Sequence, residues 1–194
     1  MKFKILKFKN VTSTNDVAIN LIKESKIETG CVYADTQTNG RGTQGRKWIS
    51  EKGNLFSSIF FPLKKNYPPF NEFAIINPVI ISTAIEEFCN RKIISFKWPN
   101  DVMLNGKKIC GILQEIITLN SKKFLIIGIG INIVSNPNIN NKYQATNIFQ
   151  EIKRKPSIKA LVDKIIFSYE NFFIDLNAYN YNNFKKKADL MASI

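Results

Sequence analysis

The chain reads as an α/β (α+β) domain: a mixed, largely antiparallel β-sheet with helices packed against it. Three observations predict this. Residues 1–9 largely alternate charged and apolar side chains, the period of a half-buried strand. Residues 93–133 read as strands joined by tight turns at Asn105-Gly106 and Asn120-Ser121, and Asn-Gly between such runs is the best short hairpin signal. Two segments, opening at Ser13 and Ser157, carry apolar residues at helical spacing.

The elements follow in order. A strand over residues 2–9 leads to Ser13, where an amphipathic helix runs through Val17, Ala18, Leu21 and Ile22 to about residue 26; Ser13 with Asp16 three positions on fits an N-terminal capping pattern. A second strand, residues 31–37, feeds a glycine-rich loop, and residues 54–61 form a third. Pro68-Pro69 breaks the chain before a nearly all-apolar helix over 71–90, buried on most sides, with a kink expected at Pro78. Strands over 93–98, 102–104, 107–118 and 124–133 come next. Residues 135–147 are rich in Asn and poor in apolar side chains, the composition of a loop or lid. The helix capped by Ser157 presents Ile158, Leu161, Val162, Ile165, Ile166, Tyr169, Phe172 and Phe173, and a last short helix spans 181–191. There is no internal repeat and no linker that would split residues 1–194 into two domains.

Composition sets limits. A chain of 194 residues, 44% hydrophobic, suits one domain. No apolar run approaches the ~18 residues of a membrane span. Three cysteines, Cys31, Cys89 and Cys110, are odd in number and lack metal spacing, which fits a reducing cytoplasm. Histidine is absent, which excludes Ser-His-Asp and Cys-His nucleophiles and the paired-histidine zinc helix. The net charge of +13 invites a nucleic-acid reading. Only four of the 28 basic residues are arginine, however, and Lys, Asn and Ile are in surplus together, as AT-rich coding would produce.

Two of those four arginines stand in one phrase, Gly40-Arg41-Gly42-Thr43-Gln44-Gly45-Arg46-Lys47-Trp48. Glycines let the backbone turn N–H groups toward an anion, arginine forks grip phosphate or carboxylate, and tryptophan offers a flat face for a ring. The letters fit a dinucleotide fingerprint, but the loop runs into a strand rather than a helix, and no acid stands about 20 positions on. No Walker Gly-Lys-Ser/Thr occurs. A second phrase, Lys97-Trp98-Pro99-Asn100-Asp101, is followed by Gly106-Lys107-Lys108-Ile109-Cys110-Gly111.

Taken in order, Ser13-Thr14-Asn15, Gln37, the 40–48 loop, Lys97 to Asp101, Lys108-x-x-Gly111 and Gly128-x-Gly130-Ile131-Asn132 resemble the catalytic domain of biotin–protein ligases over about residues 10–150. The resemblance implies a fold like the catalytic core of class II aminoacyl-tRNA synthetases. It also implies an activity: ATP and biotin are joined as biotinyl-5′-adenylate with release of pyrophosphate, and biotin then passes to one lysine of a carboxylase carrier domain. The biotin carboxyl carrier protein of acetyl-CoA carboxylase is the implied partner. Family members are monomers or dimers.

Roles carry over by position. Lys108 matches the lysine that contacts carboxylate and phosphoryl oxygens; Arg41 and Arg46, with Gly42, Thr43, Gly45 and Asn100, match the adenylate-holding set. Trp48 and Asn132 match positions flanking adenine. Ser13, Thr14, Asn15 and Gln37 match the biotin ureido site, with Gly40, Arg41, Lys108 and Gly111 also lining the biotin position. Asp101 would either help place Mg²⁺ or pair with Lys108 or the incoming lysine; the Mg²⁺ ligand itself is unassigned. Each residue also has a plain reading: helix cap for Ser13, turn residue for Asp101, core packing for Trp48, solvated lysine for Lys108. Cys110 reads as a small buried side chain, not a thioester nucleophile.

Two departures stand out. Thr43 occupies a place where many members carry a second loop arginine, so faster leakage of the adenylate is expected. The motifs begin within the first 15 residues and the chain stops at Ile194, so the family's N-terminal DNA-binding domain and small C-terminal β-barrel are expected to be missing. Competing readings are lipoate or octanoate attachment, a catalytically dead biotin-binding homologue, and a basic nucleic-acid-binding module. Neither DNA nor a membrane is an expected partner.

Overall fold

The computed structural model describes residues 1–89, 94–137 and 144–192. Its strands are β1 (Lys4–Val11), β2 (Gly30–Gln37), β3 (Leu55–Pro62), β4 (Ile94–Lys97), β5 (Asp101–Leu104), β6 (Lys107–Leu119) and β7 (Lys122–Ile131). They form one seven-stranded sheet in the order β1-β2-β3-β7-β6-β5-β4. The β1–β2 pair is parallel, because helix α1 (Thr14–Lys23) crosses between them; the other neighbouring pairs are antiparallel. Both expected hairpin turns are present. Asn105 and Gly106 have φ of 51° and 72°, Asn120 and Ser121 of 48° and 63°, the mirror-image turn geometry that matches strand twist.

One sheet face is apolar. Ile59, Phe61, Leu125, Ile127, Ile129, Ile131, Cys110 and Ile112 pack against helices α2 (Phe73–Glu86) and α4 (Ile158–Ile174). α2 is buried along most of its length and runs through Pro78 as one helix. Inside this layer the Tyr169 hydroxyl donates to Asn77 Oδ1 at 2.9 Å, tying α4 to α2, while Asn77 Nδ2 stays buried without an acceptor. α5 (Tyr181–Ala192) lies against α2. On the opposite face α1 packs Ala18 and Ile22 onto Val32, Phe60, Phe124 and Ile126.

The elements follow the sequence reading, with corrections. α1 stops at Lys23, short of residue 26. Ser13 holds the extended cap conformation, but its side chain makes no capping bond, and Asp16 is drawn to Arg41 instead. Ser157 does cap α4, accepting from Ala160 N. A short helix, α3 (Ile148–Ile152), capped by the Asn147 side chain, was not expected. α2 ends at Glu86, four residues short of the expected 90, with turn residues at 87–89; the expected strand start at 93 and the loop residues 138–143 lie outside the described residues. Among the described residues no helix is long and apolar enough to cross a membrane.

Candidate active site

The site originates in strand alternation. On one face of β7, Phe124 and Ile126 lie under α1, and the next two residues on that face are Gly128 and Gly130. Register sets Gly130 beside Gly111 of β6. With no side chains there, the sheet becomes an open floor. A Cβ on Gly111 would lie 2.6 Å from Trp48 Cζ3, one on Gly130 2.6 Å from Trp48 Nε1, and one on Gly128 2.7 Å from Asn15 Oδ1. The indole therefore rests on two glycines, and α1 approaches over the third.

The resulting cavity of about 200 Å³ is lined by most of the residues singled out in the sequence: Ser13, Thr14, Asn15, Gln37, Arg41, Gly42, Thr43, Arg46, Trp48, Asn100, Asp101, Lys108, Gly111 and Asn132. Gly40 and Gly45 do not line it. Gly40 is buried where a Cβ would meet Trp48 O at 2.6 Å and Ser50 Oγ at 2.8 Å, so it lets the loop close on itself. Gly45 supplies a left-handed turn residue, φ 72°, on the exposed outer bend.

At one end the lining is uncharged and densely hydrogen-bonded. Thr14 N and Oγ1 both donate to Gln37 Oε1, at 2.8 and 3.1 Å, and Gln37 Nε2 donates to Ser50 Oγ at 3.0 Å. The Ser58 hydroxyl reaches Thr14 Oγ1 at 2.7 Å and Asn15 Oδ1. Ser13, Thr14 and Asn15 are all buried, so these bonds hold polar groups that water does not reach.

Arg41 borders this end. Its Nη1 donates to Asp16 Oδ1 at 2.5 Å and its Nη2 to Glu115 Oε2 and Oε1 at 3.0 and 3.2 Å. Burial works against the guanidinium charge, but the bonds to Asp16 and Glu115 outweigh it and hold its pKa above the ordinary value.

Lys108 faces the cavity because of an irregularity. Met103 pairs with Lys108 but Val102 with Cys110, so Ile109 is an extra residue in β6. Ile109 and Cys110, though consecutive, both enter the apolar layer, and Lys108 is turned to the glycine floor. Its Nζ lies 2.6 Å from Asp101 Oδ1 and 5.5 Å from the Trp48 ring centroid, within cation–π range. The Asp101 oxygen makes no aligned hydrogen bond there, so the pair is a charge contact. The Lys108 backbone is clamped by residues 144–146: its N–H donates to Gln144 O and its carbonyl accepts from Thr146 N, both at 2.9 Å.

Asn100 Nδ2 donates to Ile112 O at 3.2 Å and to Thr43 Oγ1 at 3.3 Å, and Asn132 Nδ2 to Thr146 O at 3.1 Å. The Trp48 indole N–H is buried without an acceptor. Cys110 is fully buried, and burial pushes its thiol far above the ordinary range, which fits the small-core-residue reading. Among the described residues no three His, Cys, Asp or Glu side chains cluster as a metal would require.

Sequence reasoning missed Asp16, Ser58 and Glu115. Parity places two of them, Glu115 on a strand face with Gly111 and Leu113 and Ser58 on one with Phe56 and Phe60, but not the contacts they make; Asp16, in α1, carries no such signal.

The model of the Biotin/lipoate A/B protein ligase family matches residues 7–132. The bifunctional ligase/repressor BirA of Bacillus subtilis is 31% identical over 184 residues, 90% of this chain and 55% of BirA. Biotin–protein ligase 2 of Arabidopsis thaliana is 34% identical over 130 residues, 63% of this chain and 38% of the relative. The chain thus spans about half the length, or less, of these curated relatives. Among solved structures, the Leishmania major biotin protein ligase in complex with biotin superposes with a TM-score of 0.80 at 28% identity, covering 97% of this chain and 81% of that one. The Aquifex aeolicus biotin protein ligase in complex with biotin and ATP gives 0.77 at 32% identity, covering 95% and 76%. The matched region contains the glycine floor, the 40–48 loop and Lys108, and on it the chain belongs to the biotin/lipoate A/B protein ligase family.

Proposed function

We propose that this chain is the catalytic domain of an ATP-dependent biotin–protein ligase. One observation carries the reading: a single cavity joins an uncharged, hydrogen-bonded end (Ser13, Thr14, Gln37) to a cationic end where Lys108 meets an aromatic face on a glycine floor. Biotin has the same two halves, a neutral ureido ring and an anionic carboxylate. The Aquifex relative was solved with biotin and ATP, and the Leishmania relative also with biotinyl-5-AMP.

In the first step a biotin carboxylate oxygen attacks the α-phosphorus of ATP, the bond to the β-phosphate oxygen breaks, and pyrophosphate leaves. The carboxylate is already ionised at neutral pH, so no base is needed. Catalysis consists of holding the two reactants in line and offering positive charge where negative charge gathers. Lys108 supplies that charge, and Asp101 holds its ammonium in place. Trp48 offers its ring and its unpartnered N–H to the nucleotide, beside Asn132. In the second step an acceptor lysine amine attacks the acyl carbon, AMP leaves, and the amine proton is lost; Asp101 is the nearby carboxylate suited to receive it. Arg46, on the exposed side of the loop, faces the phosphates.

Mg²⁺ would arrive bound to ATP phosphates, the usual habit of that ion. The acceptor is a carboxylase carrier domain such as that of acetyl-CoA carboxylase, met in the cytoplasm.

The test is biotin-dependent ATP–pyrophosphate exchange with purified protein. Exchange with biotin but not lipoate or octanoate is expected, falling about 100- to 1,000-fold in Lys108→Ala, the scale of losing one transition-state donor. No exchange by folded protein, with or without calorimetric biotin binding, would separate a dead biotin-binding homologue from a wrong reading. Tight, steeply salt-dependent binding of DNA or RNA would instead favour a nucleic-acid module.

A further inference from the structure

Glu115 lies in β6 on the pocket face, two pairs beyond Gly111. Its carboxylate is shared. Oε2 accepts from Asn15 Nδ2 at 2.5 Å, and both oxygens accept from Arg41 Nη2. Asp16 takes the other Arg41 nitrogen. Three elements meet there: the 40–48 loop through Arg41, α1 through Asn15 and Asp16, and β6 through Glu115. Asn15 in turn reaches Ser58, which reaches Thr14, which is held by Gln37. An unbroken chain of hydrogen bonds therefore runs from Arg41 through Glu115 to the uncharged end of the cavity.

Charge counting sharpens the point. One guanidinium faces two carboxylates, so the contact cluster sums to −1. A phosphate approaching Arg41 would meet net negative charge at short range and would have to displace a carboxylate already bonded in good geometry. Lys108 and Arg46 are not burdened in this way among the described residues: Lys108 faces one carboxylate, and Arg46 bonds the neutral Gln44 amide, at 3.4 Å.

We propose that Glu115 is a positioning residue that acts through Arg41 and Asn15, with Asp16 completing the clamp, and that Arg41 is a strut for the ureido end of the cavity. This rests on the biotin ligase reading. Arg41 fixes the loop against α1 and β6, and Glu115 sets the Asn15 amide so that Ser58, Thr14 and Gln37 keep the orientation a neutral, hydrogen-bonding ring requires. The phosphate is left to Lys108 and Arg46.

A double-mutant cycle on the full chain tests this, with biotin and ATP affinities measured separately by calorimetry and folding checked by near-UV circular dichroism. Glu115→Leu and Arg41→Leu should each weaken biotin about tenfold or more, the scale of a lost charge-assisted bond, and change ATP affinity by less than about threefold. The double variant should bind biotin no worse than either single one, because both act through one contact. Glu115→Gln, which can still accept from Asn15, should recover part of the loss. Additive losses in the cycle would overturn the proposal. So would Asp16→Asn, a milder change that spares the fold, if it tightened ATP about tenfold, for then Arg41 would be a phosphate ligand held back by its carboxylates. Wild-type protein that binds no biotin would overturn the ligase reading together with this one, whereas wild-type binding with an additive cycle would overturn only the role of Glu115.

Discussion

The two faces of the sheet are built by the same strands and have opposite chemistry. In β7 the residues alternate: Leu125, Ile127, Ile129 and Ile131 enter the apolar layer under α2 and α4, while Gly128 and Gly130 form the floor of the cavity. In β6, Cys110 and Ile112 go one way, and Gly111, Leu113 and Glu115 the other. The difference teaches that stability and binding are separable here at the level of residue parity. The core face fills space, and the site face removes it.

The largest effect should come from the core face. Ile127→Ala leaves a cavity at a fully buried position and should cost about 2–5 kcal/mol in chemical denaturation, with biotin affinity in the folded protein nearly unchanged. Gly130→Val should do the opposite. Its side chain must displace the Trp48 ring, so calorimetric nucleotide affinity should fall about tenfold or more, roughly 1.4 kcal/mol, while the melting temperature moves little. If both variants damage both properties equally, the division between faces is wrong.

Two smaller effects probe the rim. Thr43 is a neutral residue bonded to Asn100, so Thr43→Arg adds a cation to the cavity rim and, on the proposed function, should slow release of radiolabelled adenylate about threefold, a charge contribution of roughly 0.7 kcal/mol near a half-exposed surface. Equal off-rates would show that the Thr43–Asn100 bond already holds the loop. The last test concerns Glu151, which gathers Thr146, Asn105 and Lys107 around its carboxylate. The Thr146 hydroxyl first, then the Asn105 amide, hold its pKa below the ordinary carboxylate value despite burial. A depressed folded pKa gives stability that is present above the unfolded value near 4.3 and is lost as pH falls through the folded one. Glu151→Gln should therefore melt lower than wild type at pH 7, by about 1 kcal/mol in stability, and the gap should close below about pH 4.

Much of this architecture was legible in the sequence because local rules act alone there. Alternation at the N-terminus, the positive-φ turns at Asn105-Gly106 and Asn120-Ser121, and the Ser157 cap needed no knowledge of distant residues. The assembly of Ser13, Gln37, Trp48, Lys108 and Asn132 into one cavity was expected from the motifs and is what the fold delivers. The carboxylate clamp was not legible. Asp16 looked like a helix-capping acid, because its partner is 25 positions away, and Glu115 drew no reading at all, because Arg41 lies 74 positions away. α3 escaped because five residues are too few to display a helical period.

The spacing Lys-x-x-Gly was itself a clue. Two residues three apart cannot share a face on a regular strand, and the additional Ile109 resolves the conflict. The orientation of the Lys108 ammonium is thus encoded by a count rather than by an identity. A chain lacking Ile109 would retain Lys108 and Gly111 at a regular spacing of two, yet the ladder would pass without interruption from Met103 to Val102, and the backbone clamp on Gln144 and Thr146 would fall out of step. Single-residue insertions and deletions between the Asn105-Gly106 turn and Gly111 should therefore be far less tolerated than substitutions, because they shift the lysine against Gln144 and Thr146.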